Sequence, residues 1–155
     1  MNPFKERMKQ GKPLTGSLIS MGLPMVSEMI SRCGFDWLWI DMEHSPLTLG
    51  EVQGLLQAIS KECAAFVRVP SNDEVWIKRV LDLGADGIIV PQVKTAQEAA
   101  RAVAACKYPP AGVRSMGLAR ANGFGMDFGE YGKSANDDVV VLLQIEHVEA
   151  VKNVD

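Results

Sequence analysis

Cysteine is scarce in this chain of 155 residues: Cys33, Cys63 and Cys106 stand far apart, and no CxxC or zinc-finger spacing joins them. Three dispersed cysteines give no disulfide framework and read as reduced thiols on helices of a cytoplasmic protein. Nothing around any of them resembles an activated thiolate. Excess charge is missing too. The net charge is -3 and there is no Lys/Arg run, so counterion release on nucleic acid has no source. The longest apolar runs are broken by Gly, Asp or Arg, which excludes a bilayer-spanning segment. The opening MNPFKERMKQGK lacks the apolar stretch of a signal peptide. Neither GxGxxG after the first strand nor GxxxxGK[ST] anywhere is present, which disfavours a dinucleotide fold and a P-loop.

What is there is ordinary globular composition, 47% hydrophobic and 23% charged, in a length that suits one domain with a real core. The pattern repeats as strand, loop, capped helix. Asn2 and Pro3 can open a first helix that Gly11 ends. Strands are expected at 15–21, 37–41, 64–69, 87–93 and 139–145. WLWID at 37–41 and VVVLLQI at 139–145 are apolar on both faces, as strands of a covered parallel sheet are. Three spacings predict capping boxes after strands: Thr48 with Glu51, Ser71 with Glu74, and Thr95 with Glu98. Residues 108–137 form a glycine-rich excursion, with a short helix starting at Asp127; such long excursions are usually functional. Repeated βα units fit an open doubly wound sheet and part of an eightfold barrel equally well.

In both architectures chemistry sits at the C-terminal strand ends. There stand Asp41, Glu43 and His44 after the second strand, Arg68 on the third, and Gln144 and Glu146 on the fifth. By alternation Gln144 and Glu146 share a face with Val140 and Leu142, and Arg68 shares one with Phe66. His44 would share a face with Leu38 and Ile40 if the strand stayed regular that far. Each residue also has a plain reading. Asp41 and Glu43 can cap the following loop, and Arg68 can pair with Glu146 or Asp41. His44 can be a hydrogen-bonded loop histidine, Glu146 a solvated acid, and Trp37 and Trp39 packing residues.

Five ordered segments resemble the HpcH/HpaI aldolases, class II pyruvate aldolases of the 2-keto-3-deoxy sugar acid and 4-hydroxy-2-oxo-heptanedioate type. They are FDWLWIDMEHSP at 35–46, VRVPSND at 67–73, IKRVLDLGADGIIVPQV at 77–93, YPPAGVRSMG at 108–117 and LLQIEHVEAVKN at 142–153. The resemblance implies an α/β fold of parallel (β/α) units of a TIM barrel, truncated to about five strands of eight. Residues 1–155 would then be the N-terminal part of a single barrel. It implies Glu146 as one carboxylate ligand of a divalent metal, Mg²⁺ or Mn²⁺, and Gln144 as a contact of bound pyruvate. Arg68 would stabilise the enolate oxygen and His44 would act as acid/base, with Asp82 raising the basicity of that histidine. The implied partners are a small 2-oxo acid and an aldehyde, with no nucleic acid and no membrane.

Asp82 lies late in the helix after the third strand, and such helices run back away from the strand ends that carry chemistry. We therefore expect it to serve a neighbouring subunit of a homo-oligomer. The family's second metal ligand, an aspartate in a Gly-Pro-x-Asp-Leu-Ser segment, has no counterpart in residues 1–155. One carboxylate is a poor Mg²⁺ site, so weak metal binding and little or no aldolase activity are expected of this polypeptide alone. Two other readings remain: a citryl- or malyl-thioester lyase, for which the loop at 112–125 would have to form a wider mouth, and a non-enzymatic βα unit that binds a partner by its sheet edge.

Overall fold

The computed structural model describes residues 3–154. The expected cap Asn2 lies outside them. Five strands form: β1 (Gly16–Ile19), β2 (Trp37–Asp41), β3 (Ala64–Arg68), β4 (Gly87–Val90) and β5 (Val140–Leu143). All pairings are parallel and the spatial order is β1-β2-β3-β4-β5, each strand beside its sequence neighbour. Right-handed crossovers between such strands put every connecting helix on one face. A doubly wound sheet reverses its order midway and covers both faces. The sequential order therefore decides for the arc of a barrel wall.

The helices are α1 (Pro3–Lys9), α2 (Pro24–Ser31), α3 (Leu49–Ala58), α4 (Glu74–Asp82), α5 (Ala96–Cys106), α6 (Phe128–Asp138) and α7 (Val148–Lys152). Strand alternation gives two apolar layers. Leu38, Ile40, Val67, Ile88 and Val90 face the helices and pack with Val52, Leu55, Val80 and Ala102. Phe66, Ile89 and Val140 face the other way, flanked by Trp37, Trp39 and Leu142. Phe4 of α1 covers the lower end of this inner face, edge-on to Phe66 at 4.8 Å between ring centres.

β2 has the expected bounds, and the other four strands are shorter than their apolar runs. Pro70 and Pro91, which have no N–H to continue a ladder, stand just beyond β3 and β4. The box at Thr48 and Glu51 forms in both directions. The expected box at Ser71 and Glu74 does not. α4 begins at Glu74, so the cap is Asp73, whose Oδ1 accepts from the N–H of Val75 and Trp76 at 2.9 and 3.2 Å. Thr95 caps α5, but Glu98 reaches back to the N–H of Lys94 instead of Thr95, so only half of that box exists.

The glycine-rich excursion does not border the strand ends expected to carry chemistry. It connects α5 to α6 beside the end of α4, at the opposite end of the sheet. Arg114, 2% exposed, donates to Asp82 at 2.7 Å and stacks on Tyr108. Arg120 donates to the Leu83 carbonyl at 2.7 Å. Buried Asn122 holds the turn, accepting from Ala119 and Gly125 and donating to Gly117. The short helix expected from Asp127 is the eleven-residue α6. Of the cysteines only Cys106 sits in a helix, while Cys33 and Cys63 lie in turns, and all three are free thiols. No helix among the described residues is long and apolar enough to cross a membrane.

The corrected cap is testable by urea unfolding. Asp73→Ala is expected to lower stability by about 1 kcal/mol with an unchanged denaturant slope. Ser71→Ala should stay within about 0.5 kcal/mol of the unsubstituted protein. Equal effects would contradict the cap.

Candidate active site

The parallel register makes Asp41 of β2 and Arg68 of β3 direct neighbours on the inner face, at the C-terminal rim. Both are buried, 3% and 8% exposed, so neither charge can remain without a partner there. The guanidinium meets the carboxylate edge to edge: Nε to Oδ1 at 2.9 Å and Nη2 to Oδ2 at 2.8 Å. The third nitrogen, Nη1, faces Glu43 Oε2 at 3.1 Å and donates to Gln144 Oε1 at 3.4 Å. The Trp39 ring lies under the guanidinium, 4.7 Å from its centre.

Hydrogen bonds to Asp41 push the Arg68 pKa up despite its burial, so the group stays charged at any working pH. Burial alone would raise Asp41. The bonds it accepts from Arg68 and from the N–H of His44 and Glu43 outweigh that and hold it below the usual carboxylate range. Both plain readings of Asp41 thus hold together, since it caps the turn after β2 and pairs with Arg68. Glu43, weighed from sequence only as a loop cap, also turns toward the guanidinium.

Just beyond β5, Gln144 links Arg68 to Glu146: its Nε2 donates to Glu146 Oε2 at 3.4 Å. The other carboxylate oxygen accepts the Gln92 N–H at 2.9 Å. Gln92 lies just past β4 with φ 55°, left-handed for a residue with a side chain. Sequence reasoning missed it, because PQV reads as the end of a strand and glutamine carries no mark of that conformation.

His44 reaches the rim by another path than alternation implied. The chain bends after Asp41, where Ser45 Oγ donates to the Asp41 carbonyl. The Leu38–Ile40 face is covered by helices, so a regular continuation would have buried the imidazole. Instead its side chain is 71% exposed, with Nε2 3.7 Å from Glu43 Oε2. The structure thus brings His44, Arg68, Gln144 and Glu146 to one rim and leaves Asp82 at the other end, paired with Arg114. Among the described residues no three His, Cys, Asp or Glu side chains form a metal cage. Glu146 is exposed and oriented by two donors, which fits one carboxylate ligand of a cation but not a complete set.

Residues 20–155 match the HpcH/HpaI aldolase/citrate lyase family. The chain belongs to that family. It is 41% identical to a 4-hydroxy-2-oxovalerate aldolase of Novosphingobium aromaticivorans, covering 100% of the chain and 60% of the relative. It is 44% identical to a 4-hydroxy-2-oxo-heptane-1,7-dioate aldolase of Salmonella typhimurium, covering 98% and 59%. The crystal structure of an HpcH/HpaI aldolase/citrate lyase family protein from Burkholderia cenocepacia superimposes with a TM-score of 0.94. That pair is 35% identical, over 99% of this chain and 63% of that one. The HpcH/HpaI chain described here therefore spans about three fifths of the length of the relatives it matches.

The Asp41–Arg68 pair has a consequence for acid stability. A depressed carboxylate contributes stability that is fully present above its unfolded pKa of about 3.9 and is lost as pH falls through the folded value. Asp41→Asn should cost about 2 kcal/mol at neutral pH, and the gap should narrow as pH falls below about 4. A pH-independent gap in chemical denaturation would contradict this origin.

Proposed function

We propose that this chain is the N-terminal part of a single (β/α)8 barrel that cleaves a 4-hydroxy-2-oxo acid to pyruvate and an aldehyde. The observation that carries the reading is a permanently charged guanidinium, Arg68, fixed at the rim and joined through Gln144 to an exposed carboxylate, Glu146. Aldol cleavage leaves negative charge on the 2-oxo oxygen as the carbon–carbon bond breaks. A group that cannot titrate and does not have to reorganise is suited to hold that charge. The two hydrogen bonds to Asp41 fix the plane of the guanidinium, Glu43 adds an opposite charge beside it, and Trp39 packs against its face.

Glu146 would be one ligand of a divalent cation, Mg²⁺ or Mn²⁺, which when bound supplies a Lewis acid for the 2-oxo acid. Gln144 would hold the pyruvate half by its amide. His44, solvent-facing on the loop beyond β2, would take the proton of the 4-hydroxyl, directly or through one water, and return it in condensation. Asp82 would act on His44 only across a contact between two copies of the chain. Its side chain, 27% exposed beside Arg114, leaves room for such a contact. The thioester-lyase alternative is less well supported, because the loop at 112–125 that would have to widen the mouth is tied to α4 through Arg114 and Arg120.

A chimera tests the reading. The chain alone should release little or no pyruvate from 4-hydroxy-2-oxo-heptanedioate with Mn²⁺. Joined to the remaining C-terminal part of the Salmonella aldolase it should release pyruvate, and Arg68→Ala in that chimera should lower kcat roughly 10²–10³-fold. Full activity after Arg68→Ala would refute the role of the guanidinium. Robust metal-dependent release by the chain alone would refute the need for a second carboxylate.

A further inference from the structure

Gln92 sits where a strained backbone and the candidate metal ligand meet. A residue with a side chain at φ 55° is unfavourable and persists only where its surroundings impose it. Here they do. Pro91 and Val93 on either side are buried, and the Val90 carbonyl is held by the Gln144 N–H at 2.9 Å. The Gln92 side chain itself is exposed, so its own packing does not demand the conformation. What the left-handed turn does provide is direction: it aims the Gln92 N–H across the rim at Glu146 Oε1, at 2.9 Å.

With the Gln144 amide on Oε2, each oxygen of Glu146 then has one protein donor. The plane of the carboxylate is set, and the remaining lone pairs stay open to a cation. Partners that orient a ligand in this way shape affinity although they never touch the metal. We propose that Gln92 is a positioning residue: its left-handed backbone, not its side chain, orients Glu146 for a divalent cation. This rests on the reading of Glu146 as a metal ligand.

Two variants separate backbone from side chain, made in the chimera with the Salmonella C-terminal part, with Mn²⁺ binding followed by electron paramagnetic resonance in the presence of pyruvate. Gln92→Pro lacks the N–H and cannot adopt a positive φ, and should weaken Mn²⁺ at least about tenfold. Gln92→Gly keeps the N–H and relieves the strain, and should leave binding within about twofold of the unsubstituted chimera. Binding unaffected by Gln92→Pro, or weakened tenfold by Gln92→Gly, would overturn the proposal and leave the metal reading standing. If the unsubstituted chimera takes up no Mn²⁺, the metal reading fails and this role with it. Should Gln92→Pro not fold, amide exchange decides. In Glu146→Ala the Gln92 N–H should exchange at least about tenfold faster while the Gln144 N–H, bonded to Val90, keeps its rate. An unchanged Gln92 rate would overturn the proposal.

Discussion

The pairing of Asp41 with Arg68 is the constraint from which the rim follows. A buried guanidinium is tolerable only if its nitrogens are matched, and the strand register supplies the match, because the two residues are direct partners on β2 and β3. Once Nε and Nη2 are committed to Asp41, the remaining edge of the fork has one direction left. There it meets Glu43 and Gln144, and through Gln144 it meets Glu146. Three strands contribute to one connected set of polar groups on a floor of aromatic side chains.

The parallel βα winding separates the two ends of the sheet. Helices that follow parallel strands return to the starting end, so α4 carries Asp82 away from the rim that Arg68 occupies. There Asp82 meets a second buried arginine, Arg114, which anchors the long glycine-rich segment. The long excursion and the charged rim are therefore separate parts of the fold, one holding connections together and the other presenting charged groups.

Much of this was legible in the sequence, and what was not has physical causes. Apolar runs located every strand, because a strand covered on both faces cannot hide its composition. They gave β2 its bounds but overran the ends of β3 and β4, because hydrophobicity continues past the point where proline stops the ladder. The box at Thr48 was readable and the cap of α4 was not, since Asp73 and Ser71 both suit a cap and only the first helical residue decides between them. At the rim, alternation placed Arg68, Gln144 and Glu146 on the inner face. It misplaced His44, since alternation has no meaning once the chain bends after Asp41. Gln92 left no trace at all: its role lies in a backbone angle that neighbouring residues impose.

The central claim is that Arg68 is poised for charge that develops on a 2-oxo acid, not merely for Asp41. Oxalate, a planar dianion resembling the pyruvate enolate, reports on this directly by titration calorimetry with Mn²⁺ present. The account predicts that Arg68→Gln weakens oxalate by at least about tenfold, and weakens pyruvate less, because a group complementary to the transition state favours its analogue over the ground state. Equal oxalate affinity for the two proteins would contradict it and leave Arg68 as a structural partner of Asp41.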